Sequence, residues 1–464
     1  TVKIIICGAG KVGTSIARHL VDQGSDVTVI DSSHKLIDDL REKVDLKTVI
    51  GSASNPSVLK NAGAEDSDMI IAVTLQDEIN MVACQMAHTF FKIPRKIARL
   101  RTEDFLNPIW RDLYNADNMP IDLIISPELE VARSIERQLK APGAYDVVPF
   151  LNDEIELLSL VINEKCPLVD TSLINIHELF QENADTEKNL RASILGISRD
   201  ERLFIPKKQD TLTQGDHVYI MVDKNHVKRT MSAFGYDEKP IKKLIIIGGG
   251  NIGFNLAKDL EKYQSDISVS IVENNEDRSK YIADQLSNTL VLNGDGLDQD
   301  LLDEANIKDA DLLLALTNDD ETNIIISAVA RKNKCESIII VNNSEYNKLK
   351  DVLGISKVVD PRKITVSKIL KHIHKGKIES VFAIDNNQAE IIHAQVLKSS
   401  KLINKNIEDA DFPNGLRVGL IKKEDKIIIP EKDTKIEIHD EILFLCMRDD
   451  IKKAEELFQV RSEY

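Results

Sequence analysis

Long apolar runs are missing from this chain of 464 residues. None approaches the roughly 20 consecutive apolar residues that a membrane-spanning helix needs, so direct insertion into a bilayer is not expected. Cysteine is scarce. Cys7, Cys84, Cys166, Cys335 and Cys446 are scattered without C-x-x-C spacing, which argues against a disulfide framework and for buried free thiols in a reducing cytoplasm. The ten histidines show no H-E-x-x-H and no ligand spacing beyond His372-Ile373-His374, so no metal site is expected. An excess of positive charge is also missing. The formal net charge is −16, which speaks against nonspecific binding to nucleic acid or to an anionic membrane surface. Val2 onward already reads as strand, so no signal peptide is expected before the fold.

What the chain does have is a glycine turn, twice. Val2-Lys3-Ile4-Ile5-Ile6 has strand length and leads into Cys7-Gly8-Ala9-Gly10-Lys11-Val12-Gly13; a helix-like run from Thr14 to Leu20 follows. Later Leu244-Ile245-Ile246-Ile247 leads into Gly248-Gly249-Gly250-Asn251-Ile252-Gly253 and then Phe254-Asn255-Leu256-Ala257. Both are G-x-G-x-x-G between a strand and a helix. Gly8 and Gly248 permit the tight turn, Gly10 and Gly250 let a pyrophosphate approach the backbone, and Gly13 and Gly253 let the helix pack closely on the sheet. Phosphate would then meet free N–H groups at the helix start, where the helix dipole favours negative charge. In each copy the next strand ends in an acid, Asp31 after Val27–Ile30 and Glu273 after Ser268–Val272. Both fall about 20 residues past the turn, where a carboxylate accepts hydrogen bonds from a ribose. A structural turn followed by a solvated acid is the competing account, and it weighs more on the second copy.

The length implies three or four domains at roughly 100–200 residues each. From Val2 to Lys140 strands alternate with helices, the pattern of a doubly wound parallel sheet whose ligands bind beyond the carboxyl ends of the strands. Ala141-Pro142-Gly143-Ala144 breaks that pattern. Tyr145 to Asp223 is shorter and strand-rich, with Ile155–Ile162 as a strand, Ser172–Phe180 as a helix and Ala192–Ile197 with Arg202–Pro206 as a hairpin. After a linker at Phe234–Lys243 the order repeats. Gly294-Asp295-Gly296 answers Gly51-Ser52-Ala53, and T-x-x-D-E-x-N recurs at Thr74–Asn80 and Thr317–Asn323. The second small module takes Ile391–Leu397 as a strand, a helix after Leu402-Ile403, a hairpin from Leu416 and a closing strand within Ile436–Met447. The expected fold is therefore α/β: two Rossmann-like doubly wound parallel-sheet domains, 1–140 and 236–378, each followed by a small α+β lobe, 141–235 and 379–464.

A dehydrogenase would need an acid or base beside its nicotinamide, supplied by a substrate domain. The small modules offer only isolated histidines, His177, His217, His393 and His439. A nucleotide-binding protein that changes shape fits the duplication better, although an NAD-dependent oxidoreductase stays open.

The whole chain resembles the TrkA family, regulatory subunits with tandem RCK/KTN domains from bacterial Trk potassium uptake systems. The residues that carry the resemblance are Lys3–Gly13, Val29-Ile30-Asp31, Ala72-Val73-Thr74 with Asp77-Glu78, Asn80–Gln85, Ile97-Ala98-Arg99 and Gly248–Gly253. The resemblance implies a cytoplasmic non-enzyme that forms a homotetrameric ring. The ring would be attached peripherally at the inner face of the membrane through a potassium channel subunit of TrkH or TrkG type, with no partner nucleic acid. It implies NAD(H), and in some members ATP or ADP, on the large lobes. By position the first site would use Gly8, Ala9, Gly10, Lys11 and Val12 for phosphate, Asp31 for ribose, Thr74 and Leu75 beside the ligand, and Arg99 for a phosphate. The second would use Gly248, Gly249, Gly250, Asn251 and Ile252 with Glu273, and further Asp295 and Thr317. Arg99 has no basic counterpart in Ile338–Asn343, so the two sites are expected to differ in ligand preference. A nucleotide sensor on another transporter is the nearest alternative. Asp31→Ala is expected to weaken NAD(H) binding in calorimetry; unchanged affinity would remove Asp31 from the site.

Overall fold

The computed structural model describes residues 2–22, 24–151, 153–181, 190–237, 239–264, 266–343, 346, 353–355, 357–370, 378–385, 388–424 and 426–458. His372 and His374 lie outside the described residues. By its contacts the chain forms two compact units. One comprises Thr1–Ala132, Ile245–Tyr263 and Val269–Ile369, the other Arg133–Leu244, Gln264–Ser268 and Leu370–Tyr464.

The first unit holds two parallel sheets. Strands β1 (Lys3–Cys7), β2 (Asp26–Asp31), β3 (Lys47–Ile50), β4 (Met69–Ala72), β5 (Arg95–Arg99) and β6 (Leu123–Ile125) pair in the order β3-β2-β1-β4-β5-β6. The small lobe that follows contributes β7 (Asp146–Phe150), β8 (Ile155–Val161), β9 (Ala192–Arg199), β10 (Arg202–Phe204) and β11 (His217–Asp223). Then β12 (Lys243–Ile247), β13 (Ser268–Glu273), β14 (Leu290–Asn293), β15 (Leu312–Ala315), β16 (Glu336–Ile340) and β17 (Lys357–Val359) repeat the first order as β14-β13-β12-β15-β16-β17. In both large lobes the order reverses between the first and fourth strands. That is the switch point, where the crossovers leave a crevice at the strand ends. The doubly wound expectation is borne out. The central strands are buried on both faces, so β4 reads as unbroken Met-Ile-Ile-Ala rather than alternating. The lobes fill equivalent space differently. Cys7 and Ala53 share one core, whereas a Cβ on Gly296 would stand 2.2 Å from Ile247 Cγ2. All five cysteines are buried and free.

The second unit holds two antiparallel five-stranded sheets, β10-β9-β11-β8-β7 and β18-β19-β22-β20-β21. Its later strands are β18 (Ile378–Ile384), β19 (Ala389–Gln395), β20 (Leu416–Lys423), β21 (Lys426–Ile428) and β22 (Glu441–Met447). Strand β11 explains the design. Val218, Ile220 and Val222 pack with the helices Leu173–Gln181 and Val227–Ala233, while Tyr219 and Met221 pack with Ile391, Leu420, Leu443 and Leu445 of the other sheet. Each small lobe thus covers one sheet face with its own helices or turns and the other face with its duplicate. Glycines allow the close approach: a Cβ on Gly196 would lie 2.9 Å from Leu445 Cδ1, and one on Gly419 would lie 2.6 Å from Leu195 Cδ2. Polar bonds ring the contact, among them Lys422 Nζ to Glu154 Oε1 at 2.6 Å and Arg417 Nη1 to the Pro206 carbonyl at 2.7 Å.

Two differences from the sequence reading have physical causes. Strand β7, not singled out in the sequence, contains Pro149 and lies at a sheet edge, where a missing N–H costs little. The helix expected after Leu402-Ile403 is only a 3₁₀ turn, Ile407–Asp409. Asn404 stands at φ +62° and Asp411 at +50°, which end any helical run. Leu445→Ala removes a side chain from the centre of the sandwich and is expected to cost about 2–5 kcal/mol, read as a lower denaturant midpoint.

Candidate functional site

At the first switch point the turn is built by steric exclusion. Gly8 has φ +114°, and a Cβ there would lie 3.1 Å from the Val73 carbonyl and the Thr74 nitrogen. A Cβ on Gly13 would meet the Gly8 oxygen at 1.8 Å, so the helix Lys11–Asp22 rests directly on the turn. Gly10 is different: its Cβ direction meets nothing within 4 Å. The open position lies between two crowded ones, as a backbone approached by a ligand requires. Lys11 is exposed and Val12 half-buried at the helix start. The Ala9 N–H donates to Asp31 Oδ2 at 2.7 Å, and the Ser33 N–H donates to Asp31 Oδ1 at 2.8 Å.

The second turn repeats this geometry. Gly248 has φ +106°, a Cβ on Gly253 would lie 2.2 Å from the Gly248 oxygen, and Gly250 again faces open space. Gly249 donates to Glu273 Oε2 at 2.7 Å and Asn275 to Glu273 Oε1 at 2.8 Å. A Cβ on Gly249 would stand 2.3 Å from Ile282 Cδ1, so that side chain would have to turn aside. Asn251 and Ile252 are half-buried at the start of the helix Asn251–Tyr263.

The repeated T-x-x-D-E-x-N has a structural meaning that the sequence did not disclose. Buried Asn80 accepts from the Thr74 N–H at 2.9 Å and the Thr74 hydroxyl at 2.7 Å, and donates to the carbonyls of Thr74 at 3.1 Å and Arg99 at 2.9 Å. One carboxamide thereby ties the ends of β4 and β5 together. Asp77, also buried, accepts from the Arg101 and Thr102 N–H groups. In the second lobe Asn323 holds Thr317 and the Ile340 carbonyl, and Asp320 holds the N–H groups of Asn342 and Asn343. These matched bonds fix the register: Ile340 is the counterpart of Arg99, and Asn342 of Arg101.

Arg99 is half-buried, and its Nε is buried without a hydrogen-bond partner. Burial lowers its pKa from the usual arginine range, opposed by the negative charge of Glu128. Glu128 itself is bonded to Arg101, at 2.7 Å. A cation that has lost hydration without gaining a partner is suited to an anion. Leu75 is 77% exposed, unusual for leucine. It lines a cleft of about 590 Å³ with Gln76, Glu78, Arg101 and Thr102, and Asn251 of the second lobe borders the same cleft. The structure therefore brings Gly8–Gly13, Asp31, Thr74 and Arg99 to one switch point, and sets Leu75 beside the second turn. Asp295 is exposed and accepts from the Leu297 N–H at 2.9 Å in a local turn.

Fold and site together define a tandem protein of two dinucleotide-type lobes, each followed in the chain by a small antiparallel lobe. The TrkA-N domain model matches residues 4–127 and 244–361, and the TrkA-C domain model matches 157–235 and 392–459. The chain belongs to the family of the Trk system potassium uptake protein TrkA. It is 40% identical over 463 residues to that protein of Azorhizobium caulinodans, with 100% of each chain covered. It is 35% identical over 463 residues to that of Halomonas elongata, with 99% of each covered. Among solved structures, the "GsuK channel bound to NAD" superposes with a TM-score of 0.61 at 17% identity, covering 99% of this chain and 79% of that one. The crystal structure of the GsuK RCK domain gives 0.60 at 18% identity, covering 99% and 95%. These similarities support the shared fold. The resemblance read from the sequence is thus borne out at the level of family.

Asn80→Ala is expected to leave the Thr74 N–H and the Arg99 carbonyl unpaired, at about 1–3 kcal/mol for each buried group. A lowered denaturant midpoint would register it.

Proposed function

We propose that this chain is the nucleotide-binding regulatory subunit of a potassium uptake system, gating a membrane channel subunit of TrkH or TrkG type and catalysing no reaction itself. The observation that carries this reading is the contrast within each turn. Gly8, Gly13, Gly248 and Gly253 are crowded, whereas Gly10 and Gly250 face open space at a helix start whose N–H groups favour an anion. Family membership supplies the biological setting.

In the first lobe Gly8–Gly13 would cradle the diphosphate of NAD(H), or the phosphates of ATP or ADP. Asp31 would accept the ribose hydroxyls on the lone pairs its two backbone bonds leave free. Thr74 and Leu75 would flank the ligand, and Arg99 would gain in a phosphate the partner it lacks. Gly248–Gly253 and Glu273 would do the same in the second lobe. Regulation is then linkage: a nucleotide shifts the protein only by its differential affinity for two shapes. Asn80 offers a route, since it joins Thr74 to the Arg99 carbonyl, and the Thr74–Leu75 loop borders the cleft reaching Asn251. Four chains would form a ring at the cytoplasmic face of the membrane, held there by the channel subunit.

Calorimetry with NADH, NAD, ATP and ADP on the purified chain tests the nucleotide half, and co-purification with the channel subunit tests the partner. Steady turnover of a small substrate with NAD would overturn the regulator reading; capture of a different transporter would move the partner. Gly10→Ala separates binding from folding. Its stability is expected to stay within about 0.5 kcal/mol, because the new Cβ meets no protein atom. Nucleotide affinity at the first turn is expected to fall at least tenfold, because that Cβ takes the place of phosphate.

A further inference from the structure

The second turn carries an arginine that no sequence motif marked. Arg278 lies on the helix Glu276–Gln285 after β13, and its N–H is capped by Asn275 Oδ1 at 2.8 Å. After β2 the same cap joins Ser33 Oγ to the Leu36 N–H at 3.3 Å, which makes Leu36 its counterpart. The two side chains have nothing in common. Arg278 Nε donates to the Gly249 carbonyl at 2.8 Å, and Nη2 lies 3.5 Å from Asn251 Oδ1. The guanidinium stands 5.3 Å from the Phe254 ring centre and 5.2 Å from that of Tyr281. In the first lobe the equivalent carbonyl, that of Ala9, is taken by Thr14 Oγ1 at 3.0 Å. No carboxylate pairs with Arg278 among the described residues, and most of its Nη hydrogens are uncommitted. A planar cation fixed by stacking and by the turn's own backbone is preorganised for phosphate oxygens.

At the opposite end of the second site the cation is already committed: Arg362, which the strand register sets where the first lobe has Glu128, pairs with Asp360 at 3.4 Å. Ile340, in the place of Arg99, is 2% exposed. The first lobe therefore carries its unpaired guanidinium past the glycine turn, at the end of β5, and the second carries one before it, on the helix after β13. In sheets of this order the ribose lies at the acid-bearing strand, and the ligand crosses the switch point from there.

We propose that Arg278 makes the second turn a dinucleotide site for NAD(H), by meeting the diphosphate charge from the adenosine side, while Arg99 makes the first turn a site for nucleotides that end in phosphate, ADP and ATP. This rests on the reading that both turns bind nucleotide. A terminal phosphate beside Ile340 would lose water and meet only a guanidinium already paired with Asp360, whereas a nicotinamide riboside carries no phosphate there.

Calorimetry on the full chain tests it. With ATP saturating, NADH is expected to bind at one site per chain. Arg278→Leu, which copies the first lobe's residue, should weaken that NADH binding tenfold or more and leave ATP affinity within twofold; Arg99→Ile should do the reverse. Should Arg278→Leu fail to fold, Arg278→Gln serves the same measurement. Displacement of all NADH by ATP, or equal losses for both ligands in Arg278→Leu, would overturn the assignment. A wild-type chain that binds neither nucleotide would instead remove the reading on which it rests.

Discussion

Each glycine turn in this chain is held by one carboxylate. Asp31 takes the Ala9 N–H at 2.7 Å and the Ser33 N–H at 2.8 Å; Glu273 takes Gly249 and Asn275 at the same two distances. Bonds from backbone N–H to a carboxylate are among the stronger ones available. They join the turn after the first strand to the cap of the helix after the second. Both oxygens are used, yet each keeps room for a further donor, which is what a ribose diol presents. The acid is thus structural before it is functional. That is why an acid at this spacing does not by itself prove a ligand, and why the open Cβ directions at Gly10 and Gly250 carry more weight.

The other side of the switch point depends on buried amides. Asn80 and Asn323 are fully buried, and each bonds to the loop after the fourth strand and the end of the fifth. A buried polar group so fully satisfied rigidifies its surroundings. The turn and the Thr74 loop are fixed independently, one by Asp31 and one by Asn80, and Val73 N–H to Cys7 O at 2.8 Å connects them along the sheet. A ligand touching both sides would sense their spacing, and through Leu75 and the cleft at Asn251 the spacing of the two lobes.

The doubly wound sheets and their duplication were legible because apolar strands, glycine turns and acids recur in the same order in both halves, and few topologies accommodate that pattern. Strand β7 was not singled out, and its Pro149 is tolerated because the strand lies at an edge. The T-x-x-D-E-x-N repeat was visible as a marker of duplication, but its work was not, because Asn80 and Asp77 act on backbone groups of β5 and the loop beyond it. The register that sets Ile340 opposite Arg99 needed those same bonds. Arg278 left no signal, since its position relative to Gly249 depends on stacking against Phe254 and Tyr281.

Duplication within one chain removes a restriction that identical subunits would impose. Two copies of one lobe related by symmetry must carry the same residue at the end of the fifth strand. Here one lobe has Arg99 and the other Ile340, and the helix after the acid has Leu36 in one and Arg278 in the other. The backbone bonds that define both sites are nevertheless kept almost atom for atom. The small lobes follow the same logic: Gly196 and Gly419 allow their sheets to meet, but the side chains opposite them differ, Leu445 in one case and Leu195 in the other. The frame is therefore held by backbone contacts that tolerate little change, while the side chains that would sort ligands sit on positions the frame does not use. In a fused pair those positions are free to diverge separately, so that one chain can carry two unlike sites on a single scaffold.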